Sequence, residues 1–316
     1  MARARKPSEE EGGATVRPLA KREGTVDGMV VSRRSGFYDV QLPSGDVVLA
    51  TLRGNVRKRG PVLTGDRVKV RLLADGRGVV EEVGPRVTCL ARPPLANVTR
   101  LVAVVPVDHP DFFLLDRVLV LGEAAGLCSV VCINKVDLDD EGQAGAWAER
   151  YRQVGYPVVL VSARTGQGME ELAGLLTGHV STLSGPSGAG KSSILNALVP
   201  AAGAEVGEMA ARIGGGRHTT RVVRLLPLPG GGLLADTPGF SRLDLVGIGS
   251  RDLDRWMPDI GRWADRCQFG ESCLHRGEEG CAVARAVEEG RVSKHRYQHY
   301  RRLIDEVLAM EVRRYS

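Results

Sequence analysis

The sequence predicts an α/β fold in a three-part chain: a small all-β barrel or sandwich, a central α/β unit on a mostly parallel sheet, and a helical segment behind a Cys/His loop. Three observations predict it. From Gly24 to about Arg92, short β-type runs are punctuated by Ser-Gly, Asp-Gly and Gly-Asp turns. From about Ala96 to Val246, apolar runs alternate with helix-periodic stretches. After Ser250, three cysteines and a histidine crowd one loop ahead of an Arg-rich, helix-prone tail.

Each element follows in order. TVDGMVVSRR, FYDVQLPSGD, VVLATLRGNV, DRVKVRLLADG and GVVEEVGP have strand length and turn-forming ends. RLVAVVPV, CSVVCIN, PVVLVSA, HVSTLSG, VVRLLPL and GGLLADT read as buried strands. DFFLLDRVLVLGEAAG, EGQAGAWAERYRQ, GMEELAGLLTG and KSSILNALVP read as the helices between them, the alternation of a sheet covered on both faces. Residues 1–24 carry charge, Gly and Pro without a period and are expected to form a flexible, mildly basic tail. The expected division is 1–24 for the tail, 25–93 for the barrel, 94–249 for the α/β unit and 250–316 for the metal-binding helical part.

Composition narrows the function classes. The chain has 316 residues, 43% of them hydrophobic, which supports real cores without disulfides and excludes wholesale disorder. No apolar run approaches the roughly 18–20 residues a bilayer requires, so no membrane partner is expected. The start, MARARKPSEEEGG, has no apolar core of a secretory signal. These features, with six cysteines of which the clustered three read better as metal ligands than as disulfides, lead to the expectation of a reduced, cytoplasmic setting. The net charge is +5, built from 36 arginines and only seven lysines. Arginine forks suit phosphate recognition, and genomic composition bias produces the same excess.

The chemistry is concentrated in the central part. GPSGAGKS, residues 185–192, follows a strand-like run and opens a helix-like one, the context a phosphate loop requires. Gly185, Gly188, Ala189 and Gly190 let backbone N–H groups turn around phosphates, and Lys191 neutralises the β/γ oxygens. The Ser192 hydroxyl is placed for Mg²⁺, with Ser193 beside it. NKVD, residues 134–137, ends another apolar strand. Asp137 there accepts from guanine N1–H and the exocyclic amine, a pair adenine does not offer, while Asn134 and Lys135 tie the loop together. SARTG, residues 162–166, supplies a loop whose Ser162 and Ala163 back the base. DTPG, residues 236–239, follows a buried strand; Asp236 reaches Mg²⁺ through water and the Gly239 N–H meets the γ-phosphate. Between them, GGGRHTTR has the Gly-rich polar composition of a switch loop, with Thr220 or Thr219 completing the Mg²⁺ shell.

The order of these motifs is the anomaly. Ordinary GTPases place the phosphate loop before NKxD; here it follows NKxD and SAxTG. A doubly wound sheet can be cut in a surface loop and rejoined without disturbing a site built at its strand ends. The expected fold is therefore a circularly permuted P-loop GTPase core. The residue after DTPG, where many GTPases carry a water-positioning Gln, is Phe240, which predicts slow intrinsic hydrolysis. His218 is the in-chain candidate to orient water; the alternative is a switch residue that packs or binds a partner.

Cys267, Cys273, His275 and Cys281 offer three thiolates and an imidazole within fifteen residues, a closed Cys₃His set for one structural Zn²⁺. Redox or incidental cysteines are the alternative, weakened because three thiols cannot pair off evenly. Cys89, Cys128 and Cys132 lie in apolar, strand-like surroundings and are expected in the core. His109, His179, His295 and His299 show no partner pattern. The barrel carries Arg53, Arg57, Lys58, Arg59, Arg67, Lys69 and Arg71 against Asp66, a nucleic-acid surface or a solvated face. At the C-terminus, Arg291, Lys294, Arg296, Arg301 and Arg302 with interleaved Tyr either contact RNA or decorate a solvated amphipathic helix.

On NKVDL, SARTG, GPSGAGKSSILN, GGGRHTTR, DTPGF, CLHRGEEGCAV and the LLDRVLV run, residues 25–310 resemble the RsgA/YjeQ family of GTPases that depend on the small ribosomal subunit. The resemblance implies an OB-fold barrel, a permuted GTPase core and a zinc domain. It further implies GTP hydrolysis to GDP stimulated by the small ribosomal subunit, contact with its rRNA, and a role in its late maturation. Two details differ or inform: five residues separate the first two cysteines where four are expected, and Gly188 stands where potassium-activated GTPases carry Asn, so no potassium requirement is inferred. The expected protein is a monomeric Mg²⁺- and GTP-dependent hydrolase. Two other readings stand beside it: an rRNA-binding assembly scaffold using GTP only as a conformational latch, and a P-loop kinase, against which NKxD and SAxTG argue.

Overall fold

In the computed structural model, residues 24–91, 93–199, 223–236, 245, 247–268 and 270–315 are described. The first unit is a closed barrel of five strands: β1 (Thr25–Arg34), β2 (Phe37–Gln41), β3 (Val47–Leu52), β4 (Arg67–Leu72) and β5 (Gly78–Val83). They pair in the order β1-β2-β3-β5-β4, and β4 returns to β1 to close the ring. β3 and β4 alternate buried with exposed residues, so Val48, Ala50, Val68 and Val70 face inward and meet Val30, Val40, Val56, Val62 and Val80. Helix α1 (Gly54–Lys58) caps this core with Val56.

Strand pairing also rearranges charge. Pairing of β4 with β5 sets Lys69 opposite Glu82, at 3.2 Å, and Arg71 2.7 Å from Glu81, which also lies 3.8 Å from Arg53. From Arg53 to Arg71 the sequence sets Asp66 alone against seven basic residues of the barrel. In the structure Asp66 is fully buried, bonded to Arg86 and the Leu63 N–H, and glutamates of the neighbouring strand neutralise three of the seven. Arg57, Lys58, Arg59 and Arg67 remain exposed without an acidic partner among the described residues.

The barrel runs into the central unit without a break in hydrogen bonding. A hairpin of β6 (Cys89–Ala91) and β7 (Pro94–Ala96) spans the expected boundary near residue 93. Asn97 follows it in a left-handed conformation, donating to Gly65 O and accepting from Val87 N. The central strands are β8 (Arg100–Pro106), β9 (Cys128–Asn134), β10 (Val158–Val161), β11 (Val180–Ser184), β12 (Arg224–Pro227) and β13 (Leu233–Asp236). Five are parallel, in the order β10-β9-β8-β11-β13; β12 is antiparallel to β13 and joins the barrel through Ser32 opposite Arg224.

Strands that read as unbroken apolar runs are divided by their pleat between two cores. Leu101, Ala103 and Val105 face one layer with α2 (Phe112–Ala124) and α3 (Ala144–Val154). Val102 and Val104 face the other, with α4 (Met169–Leu176) and α5 (Lys191–Leu198). The same division places Cys132 in the second core, where burial pushes its thiol up to about 12. The expectation for the other two cysteines fails: Cys89 lies on the exposed hairpin and Cys128 at the exposed start of β9. Apolar flanks do not bury a residue at a strand end.

Helix α2 is apolar on nearly all sides because it is covered on two. Leu115, Val118 and Leu119 face the sheet, while Val120 joins a third core built by the C-terminal segment. That segment contains a 3-10 turn (Leu253–Trp256), α6 (Pro258–Ala264), α7 (Ala282–Glu288) and α8 (Lys294–Tyr315). Its core gathers Leu253, Met257, Ile260, Leu303, Ile304 and Val307 around the three clustered cysteines.

Candidate nucleotide and metal sites

Among the described residues, NKVD, SARTG, the phosphate loop and Asp236 converge at the carboxyl ends of the parallel strands. The phosphate loop joins β11 to α5. Gly185 has φ +151°, and a Cβ there would lie 2.2 Å from Val104 O; Gly190 has φ +89°, and its Cβ would lie 2.2 Å from Asn134 Nδ2. Both positions therefore exclude side chains on space as well as conformation. Lys191 folds across the loop, donating from Nζ to Gly185 O at 2.9 Å and Pro186 O at 2.7 Å. Burial lowers its pKa, so an anion replacing these carbonyls would gain a poorly hydrated ammonium. Gly188, Ser192 and Ser193 are exposed at the mouth, and Ala189 is fully buried beneath it. The first-turn N–H groups of α5 have no intrahelical partners and suit a phosphate.

Asn134 joins three motifs. Its Nδ2 donates to Ala189 O of the phosphate loop at 2.8 Å, and its Oδ1 accepts from the Ala163 N–H of SARTG at 3.3 Å. Lys135 takes a left-handed backbone, φ +64°, and pairs through Nζ with Asp108 at 2.9 Å. Asp108, at the end of β8, belongs to no motif identified in the sequence; the signal was its place at a parallel strand end. Asp137 accepts from Ser162 Oγ and from Arg164 Nε at 2.8 Å, and these two bonds hold its carboxyl below the usual range. Ser162 Oγ also accepts from Thr165 N, which closes the loop on itself.

Asp236 ends β13, next along the sheet edge from β11, opposite Arg224. Burial raises its pKa and Arg224 opposes the rise, the environment of a carboxylate that gains from a nearby cation. His218, Thr219, Thr220, Gly239 and Phe240 lie outside the described residues.

The Cys/His loop forms a second site. Ligand atoms of Cys267, Cys273, His275 and Cys281 lie within 4.8 Å of one another, and all four residues are buried. Cys267 and Cys281 sulfurs are 3.9 Å apart, and His275 Nδ1 lies 3.4 and 3.6 Å from them. Zn–S bonds of about 2.3 Å at tetrahedral angles place sulfurs roughly 3.8 Å apart, so the residues fit a zinc ion. The N-terminus of α7 supports thiolates: Ala282 N donates to Cys267 Sγ at 3.3 Å and Ala284 N to Cys281 Sγ at 3.4 Å. Burial opposes ionisation of Cys267, yet the Ala282 and Val283 N–H groups bring its thiol below the ordinary value, while burial raises the Cys273 and Cys281 thiols. His275 is held at φ +55° in a loop shaped by Glu278, whose carboxylate accepts from Leu274, Arg276 and Gly277 N–H.

The C-terminal basic set divides. Arg291, Lys294, Arg301 and Arg302 are exposed, but Arg296 is 1% exposed and ion-paired, and Tyr300 is buried with its hydroxyl on Leu274 O. Neither Arg296 nor Tyr300 is available to RNA, contrary to the expectation from helical spacing. His179 and His299 prove to have partners: His179 meets Thr99 and Arg100, and His299 meets Asp116.

A phosphate loop, two base-side motifs and a strand-end aspartate on one sheet edge, in this chain order, define a circularly permuted P-loop GTPase with a barrel before it and a Cys₃His cluster after it. Residues 83–246 match the family model described as RsgA GTPase, and residues 27–80 match the RsgA N-terminal domain. The chain belongs to the RsgA GTPase family, whose members hydrolyse GTP. It is 45% identical over 289 residues to the small ribosomal subunit biogenesis GTPase RsgA of Moorella thermoacetica, covering 90% of this chain and 99% of that one. To the protein of the same name from Geobacillus kaustophilus it is 41% identical, covering 87% and 94%. The fold superposes on the crystal structure of YjeQ from Thermotoga maritima with TM-score 0.78 at 36% identity, covering 90% and 99%. The structure of YloQ, described as a circularly permuted GTPase, gives TM-score 0.78 at 33% identity, covering 92% and 98%.

Proposed function

We propose that this GTPase acts in biogenesis of the small ribosomal subunit, in its late maturation, and that the subunit stimulates its GTP hydrolysis. The observation that carries the reading is the Asn134 junction, which holds the phosphate loop, NKVD and SARTG as one guanine-nucleotide site. The names of relatives that span nearly the whole chain supply the ribosomal context. In this reading residues 25–93 and 250–316 grip rRNA from either side of the GTPase unit at 94–249, behind the tail 1–24. Arg57, Lys58, Arg59 and Arg67 are the barrel's phosphate contacts, so binding weakens as salt rises. The protein works as a monomer in the cytoplasm.

Gly185, Gly188, Ala189, Gly190, Lys191 and Ser193 cradle the phosphates. Asp137 selects guanine by accepting two of its N–H groups, backed by Asn134, Lys135, Ser162 and Ala163. Ser192, Thr220 and Asp236 hold Mg²⁺, which supplies charge neutralisation at the β- and γ-oxygens when bound. Gly239 contacts the γ-phosphate, and His218 orients water where Phe240 cannot. Cys267, Cys273, His275 and Cys281 hold one structural Zn²⁺, a closed set with no open position for substrate. The test is steady-state GTP turnover with and without small subunits. Stimulation specific to GTP is expected; no stimulation, or equal use of ATP, overturns the reading.

A further inference from the structure

We propose that Asp254 is a positioning residue for the metal site: its carboxylate stands at ion-pair distance, 3.7 Å, from the outward nitrogen of His275 and becomes the acceptor for that N–H when the ring is seated on metal. This rests on reading the Cys/His cluster as a zinc site. His275 is 3% exposed, and its two ring nitrogens face different neighbours. Nδ1 points into the cluster, within 3.4 and 3.6 Å of two sulfurs, while Nε2 faces Asp254 Oδ2 at 3.7 Å. A ring that ligates through Nδ1 carries its proton on Nε2, and a buried N–H requires an acceptor. Asp254 is the acidic side chain that meets it.

Asp254 is free for this task and held in place for it. Its neighbour Arg255 pairs instead with Asp252, at 3.3 Å, and with Glu271. Its backbone carbonyl accepts from Met257 N at 3.1 Å, and Gly261 packs so closely that a Cβ there would lie 2.9 Å from that carbonyl. Leu253, the preceding residue, is fully buried in the core that includes Val120 of α2. The turn that presents the carboxylate belongs to the same C-terminal segment as the loop that presents the imidazole, and it packs on α2 of the GTPase unit through the core they share. The Asp254–His275 contact makes the hold on metal depend on the packing of the turn against the loop.

The full chain tests this through zinc affinity, measured by competition with a chromophoric chelator, and through the imidazole N–H proton signal of the zinc-loaded protein. D254A should weaken zinc about 10–100-fold, the range for removal of a carboxylate behind a ligating histidine, and should lose the exchange-protected Nε2–H signal. D254N keeps an acceptor without the charge and should fall between D254A and the parent on both readouts. If D254A does not fold at saturating zinc, D254N decides alone. A parent chain that binds no zinc would refute the metal reading itself. A parent that binds zinc, with D254N and D254A both within twofold of it and the N–H signal unchanged, would overturn the role of Asp254 alone.

Discussion

Arg296 of α8 and Asp116 of α2 form an ion pair across 180 residues of sequence, with both side chains withdrawn from solvent. Arg296 also grips Asp259 of α6 through two bonds of 2.6 and 2.7 Å, and Asp116 accepts from Tyr151 at 3.0 Å and meets His299 at 2.6 Å. Burial alone would lower the pKa of the guanidinium; the two carboxylates raise it well above the ordinary value. One arginine thus ties the C-terminal segment to the helix that covers the GTPase sheet.

Removing that arginine leaves the buried Asp116 and Asp259 without their shared cation. R296A should cost on the order of 3–5 kcal/mol of unfolding free energy in a urea titration. R296K should recover only part, because an ammonium cannot reproduce the planar fork. A loss below about 1 kcal/mol for R296A would show that the network relaxes without its centre.

Gly190 offers a local test of the nucleotide site. G190A places a methyl 2.2 Å from Asn134 Nδ2 at φ +89° and must break the junction between phosphate loop and base loop. Affinity for a fluorescent GDP analogue should fall at least about tenfold, the equivalent of roughly 1.4 kcal/mol. Unchanged affinity would separate the Asn134 bonds from nucleotide binding.

Guanine selection should reside in Asp137. D137A is expected to weaken GDP by roughly a hundredfold or more while leaving the low affinity for ADP unchanged, since adenine offers that carboxylate no matching donors. Competition of GDP and ADP for the same site measures it, and equal losses for both would reject the assignment.

The base loop should tolerate acid. The hydrogen bond from Lys135 holds the Asp108 carboxyl below the usual aspartate range, and Ser162 and then Arg164 do the same for Asp137. Because the folded values are depressed, these contributions are complete above the ordinary aspartate value of about 3.9 and are lost only as pH falls through the lowered values. The preference for GDP over ADP, in which titration of the shared phosphates cancels, should therefore stay flat from about pH 7 to 5. A decline centred in that window would mean the carboxylates are not engaged in these pairs.

Metal removal should loosen the C-terminal part first, since the clustered cysteines lie inside its core. Chelation should open the α7–α8 region to limited proteolysis, and added zinc should restore protection. Protection that persists through complete metal loss would count against a structural ion.

The buried strands β8 and β9, the turn-punctuated barrel strands and the strand–loop–helix at Lys191 were legible because each rests on neighbours in sequence. The Cys₃His spacing was legible for the same reason. The exposure of Cys89 and Cys128 was not, since position at a strand end or in a hairpin depends on pairing. Nor were the glutamates of β5 that neutralise Arg53, Lys69 and Arg71: they face these cations only through the register of the β4–β5 pair and the approach of Arg53 to β5.

The sequence by itself determined the motif set, its permuted order and the donors gathered for a metal, because such chemistry is carried by residue type at short spacing. Only the tertiary structure decided that Asn134 joins three loops, that Arg296 is a buried tie rather than a surface charge, and that Asp254 faces His275. A charge becomes a partner, an anchor or a solvated group according to what long-range packing sets against it and how much water it excludes.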